Sequence, residues 1–334
     1  MNVHVAKRAK GSTIGLFLVL SALILVSYLA VCQTGVVPVG YPLLEASVYR
    51  ILGLNALLIL GPIVGVLLWY EKLSLQDIGI VWRKLPFAML AWVGIWLLVQ
   101  GIEPVAGLLL QGNAEIDPAW SGGGLAIIGL LLGHLVGTAL YEEMAFRGFL
   151  LRQCFPSLHR WTKNRQVLST ALAILVSQLA FTLFHVPWKL VTQGWSANTG
   201  GKLCGVLLTG IVYSLLYLRT DNLFLVMGVH ALGNAPTSLI CPSIGTPNLL
   251  LLITVMIWIL WPWVKKREEK ASLPFETKGR RTRLPGESRH QSTGDSTGKP
   301  CPNRSGVPRR IREQSPDLDK GGGTWQSTIQ QARR

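Results

Sequence analysis

Leu125–Leu151 reads LAIIGLLLGHLVGTALYEEMAFRGFLL, an apolar run long enough to cross a bilayer as one helix. Two adjacent carboxylates, Glu142 and Glu143, and a guanidinium, Arg147, sit inside it. Charges at that depth are expensive, so they need partners or water, and they mark a functional site by default. On a helix Glu143 and Arg147 are four apart and share a face, where they can form an ion pair. Glu142 points about 100° away, on the face of Phe146, clear of the arginine. The spacing therefore predicts one glutamate held in a structural pair and one available for chemistry.

Working outward, the same apolar character recurs. The chain has 334 residues, 49% hydrophobic and 15% charged, which excludes an ordinary soluble globule and predicts an all-α, polytopic membrane helix bundle. We expect about eight transmembrane helices, near 14–32, 48–69, 86–110, 125–151, 166–185, 203–218, 222–240 and 248–264. Three units follow: an N-terminal transmembrane hairpin (1–70), a core (71–264) and a disordered basic tail (265–334) rich in Gly, Ser, Pro and Arg.

Charge sets the expected orientation. Lys7, Arg8 and Lys10 precede the first span, and most other basic residues fall in alternate loops, with Lys189 and Lys202 as exceptions. The positive-inside rule then puts both termini in the cytoplasm, at the plasma membrane or an equivalent internal membrane. In 265–334, six Lys and eleven Arg face eight Asp or Glu, so +9 of the net +15 lies there. Such a tail points to anionic lipid, and no nucleic-acid fold motif accompanies it. We expect the bilayer as a partner and no nucleic acid. The five cysteines show neither a C-x-x-C pair nor a structural zinc spacing, so neither a disulfide framework nor a redox function is indicated. No internal repeat suggests an inverted-repeat transporter.

Two further constellations lie within spans. Phe181 and His185 are four apart, as are His230 and Asn234, and each pair shares a helix face. A lone membrane histidine is commonly a hydrogen-bonding link between helices, and His134 is read that way. One glutamate and two histidines on three helices, with an asparagine beside one of them, are harder to read as packing. At about 1.5 Å per residue, Glu142 lies about 15 Å inward from Arg152 and His230 about 14 Å inward from Asp221. His185 comes out about 28 Å inward from Gln166. The first two can meet, and the third is out of register unless the fifth helix begins elsewhere.

These groups could activate a water with a carboxylate and an imidazole, and polarise a carbonyl with a second imidazole and an amide. Glu142, His185 and His230 also form an acceptable zinc set. Without H-x-x-x-H or H-E-x-x-H, and with Glu143 committed to Arg147, metal-free hydrolysis is favoured; no cofactor is expected, and zinc is the alternative.

Taken together, Glu142-Glu143-x-x-x-Arg147, Phe181-x-x-x-His185 and His230-x-x-x-Asn234 resemble the CPBP family. That family comprises the type II CAAX prenyl endopeptidases and the bacterial lysostaphin-resistance and bacteriocin-processing-like proteins. Leu73–Gly79 (LSLQDIG) is similar to a short family signature. Tyr217–Leu223 (YLRTDNL) is similar to the lead-in before the second histidine, with Asp221 where glycine is usual. The resemblance covers about 73–240. It implies an intramembrane endopeptidase in which Glu142 and His185 activate water while His230 and Asn234 line an oxyanion site. The implied substrate is a membrane-associated protein or peptide, prenylated in the CAAX-type version. The alternative is a non-proteolytic membrane scaffold or bacteriocin-immunity-type protein built on the same helices.

Overall fold

The structure, a computed structural model, describes residues 7–33, 46–120, 124–235 and 237–272. The loop expected after the first span falls largely outside these residues, and so does the expected disordered tail from 273 onward. Among the described residues the fold is a helical bundle of eight principal helices. They are α1 (Gly11–Gln33), α2 (Val48–Tyr70), α3 (Trp82–Gln111), α4 (Gly124–Trp161), α5 (Gln166–Gln193), α6 (Ala197–Thr220), α7 (Leu223–Asn234) and α8 (Thr246–Ser272). Seven are long and apolar enough to cross a membrane, and α7 is shorter. This makes the chain an integral, multi-pass membrane protein.

The helices are apolar nearly all round, as hydrocarbon solvent requires, because only a helix satisfies its own backbone there. Each buries one stripe and leaves the rest to lipid. On α1 the buried stripe is Thr13, Phe17, Ser21, Leu25 and Leu29, at a spacing of four, while Leu16, Val19, Leu23 and Val26 face outward. Phe17 meets Phe149 of α4 edge to face, with ring centroids 5.0 Å apart. In α2, Pro62 removes a backbone donor, and Ile59–Tyr70 relaxes into wide π-helical turns. A Cβ on Gly61 would press on Ile24 of α1, so glycine sets the close approach of this hairpin.

The centre of the bundle is α7, whose residues Leu223–Leu232 are all buried. Helix was expected over 222–240, yet it stops at Asn234, after only about 18 Å. The leg that follows is non-helical, and its backbone is satisfied by the backbone of 115–117 and by side chains. Trp120 donates its indole N–H to the Ser238 carbonyl at 2.8 Å, Gln100 Oε1 accepts from Leu239 N at 2.8 Å, and buried Glu103 accepts from Ser243 N at 2.8 Å and Ile244 N at 3.2 Å. Irregular backbone at membrane depth is tolerated only with such partners. The α6–α7 turn needs a left-handed residue. Asp221 takes it at φ 50°, and its carboxylate meets Lys84 Nζ at 2.6 Å, which explains how an aspartate stands where glycine would be easier. At the far end, α8 continues past Lys265 to Ser272, so the first residues assigned to the tail are helical.

The segment between α2 and α3 is folded onto the bundle. Leu73, Ile78 and Ile80 are buried, and a Cβ on Gly148 of α4 would collide with the Ile78 carbonyl. Gly148 thus lets this segment lie directly on α4. Asp77 fixes its turn: Oδ2 accepts from the Ser74 amide at 2.8 Å and hydroxyl at 2.7 Å, and Oδ1 accepts from Lys7 N at 3.1 Å. The N-terminal leg is further held by Gln153, whose Oε1 accepts from Ala9 N at 2.9 Å and whose amide donates to the Lys7 carbonyl at 3.1 Å.

Burial works to raise the Asp77 carboxyl, but the Ser74 hydroxyl, the Ser74 and Lys7 amides and the Arg152 charge together hold it below the ordinary carboxylate value. A depressed folded-state pKa contributes stability that is present above the unfolded value, near ~3.9, and lost as pH falls through the folded one. Asp77→Asn should therefore cost about 1–3 kcal/mol at neutral pH. In thermal melts in detergent, the gap to wild type should narrow as pH drops below about 4.

Candidate active site

The site assembles where α4 turns wide. Residues His134–Ala139 and Glu143–Leu151 run in π-helical turns on either side of Leu140–Glu142. Such turns re-aim side chains and recur at functional positions. Every residue from Tyr141 to Arg152 is buried.

Glu143 and Arg147, both fully buried, make the expected pair, with Arg147 Nη1 donating to Glu143 Oε1 at 3.1 Å. The guanidinium does more than neutralise a neighbour. Nη2 donates to Gln178 Oε1 of α5 at 2.9 Å and to the Gly210 carbonyl of α6 at 3.3 Å. Its carbon also lies 4.4 Å over the Phe181 ring, within cation–π range. Glu143 in turn accepts from His230 Nδ1 of α7 at 2.7 Å. The glutamate expected to serve only as a counter-ion therefore also orients one of the site histidines. Gln178 went unread in the sequence, although it precedes His185 by seven residues, two turns along the same face of α5.

Glu142 is turned to the other face, as expected. Its Oε1 is 3.6 Å from His185 Nε2 and its Oε2 is 3.5 Å from His230 Nε2. Each Nε2 is defined by what the opposite ring nitrogen does. His185 Nδ1 sits 3.0 Å from the Phe181 carbonyl and His230 Nδ1 is on Glu143, so in both rings Nδ1 donates and Nε2 faces Glu142. Phe181 supports this arrangement from the side, with its ring centroid 4.5 Å from that of His185 and 6.4 Å from that of His230. Separations of about 3.5 Å are longer than the roughly 2.7–3.2 Å of direct hydrogen bonds.

The register conflict of His185 is resolved by the α4–α5 hairpin. The fourth helix does not give way to loop after Arg152 but runs on through Arg152–Trp161, and α5 starts at Gln166 after a four-residue turn. Glu142 to Trp161 and Gln166 to His185 are then both nineteen residues. Two arms of about 28 Å folded back on each other bring Glu142 and His185 to one level. The correction concerns where the helix ends, since 152–161, beyond the expected span, is helix.

Glu142, His185 and Asn234 line one cavity of about 540 Å³. Asn234 is exposed into it, one turn beyond His230. His134 and Asn55 also line the cavity, and Asn55 donates to the Thr138 hydroxyl at 3.1 Å. His134, read as a link between helices, has its buried Nδ1 without a protein hydrogen-bond partner among the described residues. Among those residues no group of three or more His, Cys, Asp or Glu is arranged to hold a metal ion.

A bundle of apolar helices enclosing buried carboxylate and imidazole groups defines a membrane-embedded protein with a polar centre. The family model described as type II CAAX prenyl endopeptidase Rce1-like matches residues 124–236. That range runs from the start of α4 through α7 and contains Glu142, Glu143, Arg147, His185, His230 and Asn234. This part of the chain is similar to an Rce1-like domain, in agreement with the CPBP resemblance, and the match supports an intramembrane protease at family level. No curated protein and no solved structure matches the chain.

Glu143→Gln should leave Arg147 buried without its counter-charge and cost on the order of 3–5 kcal/mol. Adding Arg147→Met should recover part of that loss, since both charges then leave together. Melting in detergent of the single and double variants checks this, and a double variant no more stable than the single one would contradict it.

Proposed function

We propose that the protein is an intramembrane endopeptidase that cleaves a membrane-associated protein or peptide with a water activated by Glu142 and His185. The observation that carries this reading is the placement of Glu142 between two imidazoles from separate helices, Oε1 at 3.6 Å from His185 Nε2 and Oε2 at 3.5 Å from His230 Nε2, at the edge of a cavity. A water on the cavity side of Glu142 Oε1 and His185 Nε2 finds two acceptors, with its oxygen turned to the cavity. Glu142 takes one proton as the water oxygen attacks the scissile carbonyl carbon. The developing oxyanion is met by Asn234 and by a doubly protonated His230, whose Nδ1 stays on Glu143. Breaking the C–N bond passes the Glu142 proton to the leaving amine, which returns the carboxylate.

On this reading residues 1–70 are an added hairpin, 71–264 the hydrolytic core and 265–334 a cytoplasmic tail. A prenylated CAAX-type chain is the substrate that the family description favours, and the apolar cavity walls suit a membrane-associated segment. The reaction needs no metal. What supports this is the absence of an H-x-x-x-H or H-E-x-x-H pair; zinc on Glu142, His185 and His230 is the alternative, since separations of 3.5–3.6 Å also suit ligands of one zinc.

Glu142→Gln should lower hydrolysis of membrane peptides by about 10²–10⁴-fold while leaving the melting temperature near wild type, because an amide cannot take the proton. Activity should survive dialysis against a zinc chelator. Retained turnover in Glu142→Gln would assign the base elsewhere, and loss to the chelator with recovery on zinc addition would favour the metal ligand set.

Both termini are placed in the cytoplasm from the distribution of Lys and Arg. Reporter fusions after Trp120 and Thr246 should read as external and one after Arg165 as internal. An internal reading at Thr246 would reverse this assignment for the last two helices.

A further inference from the structure

Asn234 is placed differently from the histidines of the polar centre. His230 is oriented by its bond to Glu143, and His185 by the Phe181 carbonyl. Asn234 is the last residue of α7, is exposed into the cavity, and has no side-chain hydrogen bond among the described residues. Its amide therefore stands wherever the backbone holds it. A helix end is the loosest part of a helix, because its last carbonyls lack intrahelical donors. Helical bonding stops one residue later, where Ala235 N donates to the Ala231 carbonyl at 2.9 Å.

What holds the chain next comes from α3. Gln100 donates from Nε2 to the Thr237 carbonyl at 3.3 Å and accepts at Oε1 from Leu239 N at 2.8 Å. One side-chain amide thus pins two backbone groups two residues apart, much as a neighbouring strand would. The other side of the same stretch is bonded to Trp120 and to Asp117 N, at 2.8 Å and 3.0 Å. Gln100 belongs to a stripe on one face of α3 made of Trp92, Trp96, Gln100 and Glu103, spaced by four, four and three. Trp92 bonds the Phe224 carbonyl, Trp96 the Thr237 hydroxyl, and Glu103 the amides of Ser243 and Ile244. Of the four, Gln100 takes the backbone bonds closest in sequence after Asn234. Both Gln100 and the stretch it holds lie outside residues 124–236.

We infer that Gln100 is a positioning residue of the site, which sets where the Asn234 amide meets the cavity by fixing Thr237 and Leu239. The inference rests on the proposed peptidase reading, in which Asn234 meets the oxyanion, and deepens it by adding α3 to the elements that build the site. A donor of this kind works only when it is already in place, within about 0.5 Å. Three residues of released chain reach about 10 Å, so an unpinned Thr237 leaves the end of α7 far more room than that.

The test compares full-length wild type, Gln100→Met, Asn234→Ala and the double variant in detergent. Turnover is read on a panel of membrane peptides, and hydrogen exchange across 231–239 is read by mass spectrometry. Gln100→Met keeps the length of the side chain and removes both bonds. It should lower kcat on the order of tenfold with KM within about twofold, and speed exchange in this stretch on the order of tenfold. Asn234→Ala should lower kcat by about 10²–10³-fold. In that background Gln100→Met should cost less than about twofold, because the group it positions is already gone. Equal losses of kcat in the two backgrounds, an unchanged kcat in Gln100→Met, or unchanged exchange would each overturn the assignment. If Gln100→Met is not monodisperse, Gln100→Asn, which keeps the amide but withdraws it by one carbon, carries the same expectations. Faster exchange in the variant without turnover by wild type would keep Gln100 as the residue that holds Asn234 and sink the peptidase reading, so the two fail separately.

Discussion

A guanidinium taken fully out of water is the constraint around which the described helices are arranged. Arg147 is buried at membrane depth, where an uncompensated charge is prohibitive, and its contacts come from three helices. Glu143 answers from its own helix, Gln178 and the Phe181 ring from α5, and the Gly210 carbonyl from α6. Glu143 then passes the connection to His230 on α7. Four helices that have little hydrophobic reason to prefer one another in lipid are thereby given one relative placement. A Cβ on Gly210 would strike Gln178 and crowd the Arg147 guanidinium, so the absence of a side chain there is part of the same fit. The histidine facing Glu142 is oriented by the group that neutralises the arginine, which couples stability of the bundle to geometry of the site.

The second determinant is length. α4 and α5 form a hairpin whose arms from the turn to Glu142 and to His185 are equal, and helical rise converts equal counts into equal depth. Wide turns in α4 then aim consecutive side chains at different neighbours, with Glu142 toward the cavity and Glu143 toward the interior. On the other side of the site, α7 can be short because Trp120, Gln100 and Glu103 satisfy the backbone that follows it. Trp92 does related work by lying against Gly228, where any side chain would clash, and donating its indole N–H to the Phe224 carbonyl at 3.1 Å.

Residues 124–236, the part with a family match, contain Glu142, His185, His230 and Asn234. The cavity around them is completed from outside that range. Leu25 and Leu29 of α1 and Arg50, Leu54 and Asn55 of α2 supply much of its wall. The N-terminal hairpin therefore shapes what reaches the polar centre, even though the residues that define that centre lie elsewhere in the chain.

Sequence alone determined the helical membrane class, the Glu143–Arg147 pair and the separate facing of Glu142, and it singled out His185, His230 and Asn234 as further polar groups within spans. These follow from local rules, since hydrophobic run length and a period of 3.6 residues act within a single helix. What remained for the tertiary structure was everything that depends on where one helix ends and another begins. The extension of α4 to Trp161 brought His185 level with Glu142, because apolar composition marks the hydrocarbon and not the end of the hydrogen-bonded rod. The early stop of α7 was decided by indole, amide and carboxylate partners from segments distant in the chain. The second bond of Glu143, to His230, lies across 87 residues of sequence, and no periodicity within one helix encodes which neighbour its free face will meet.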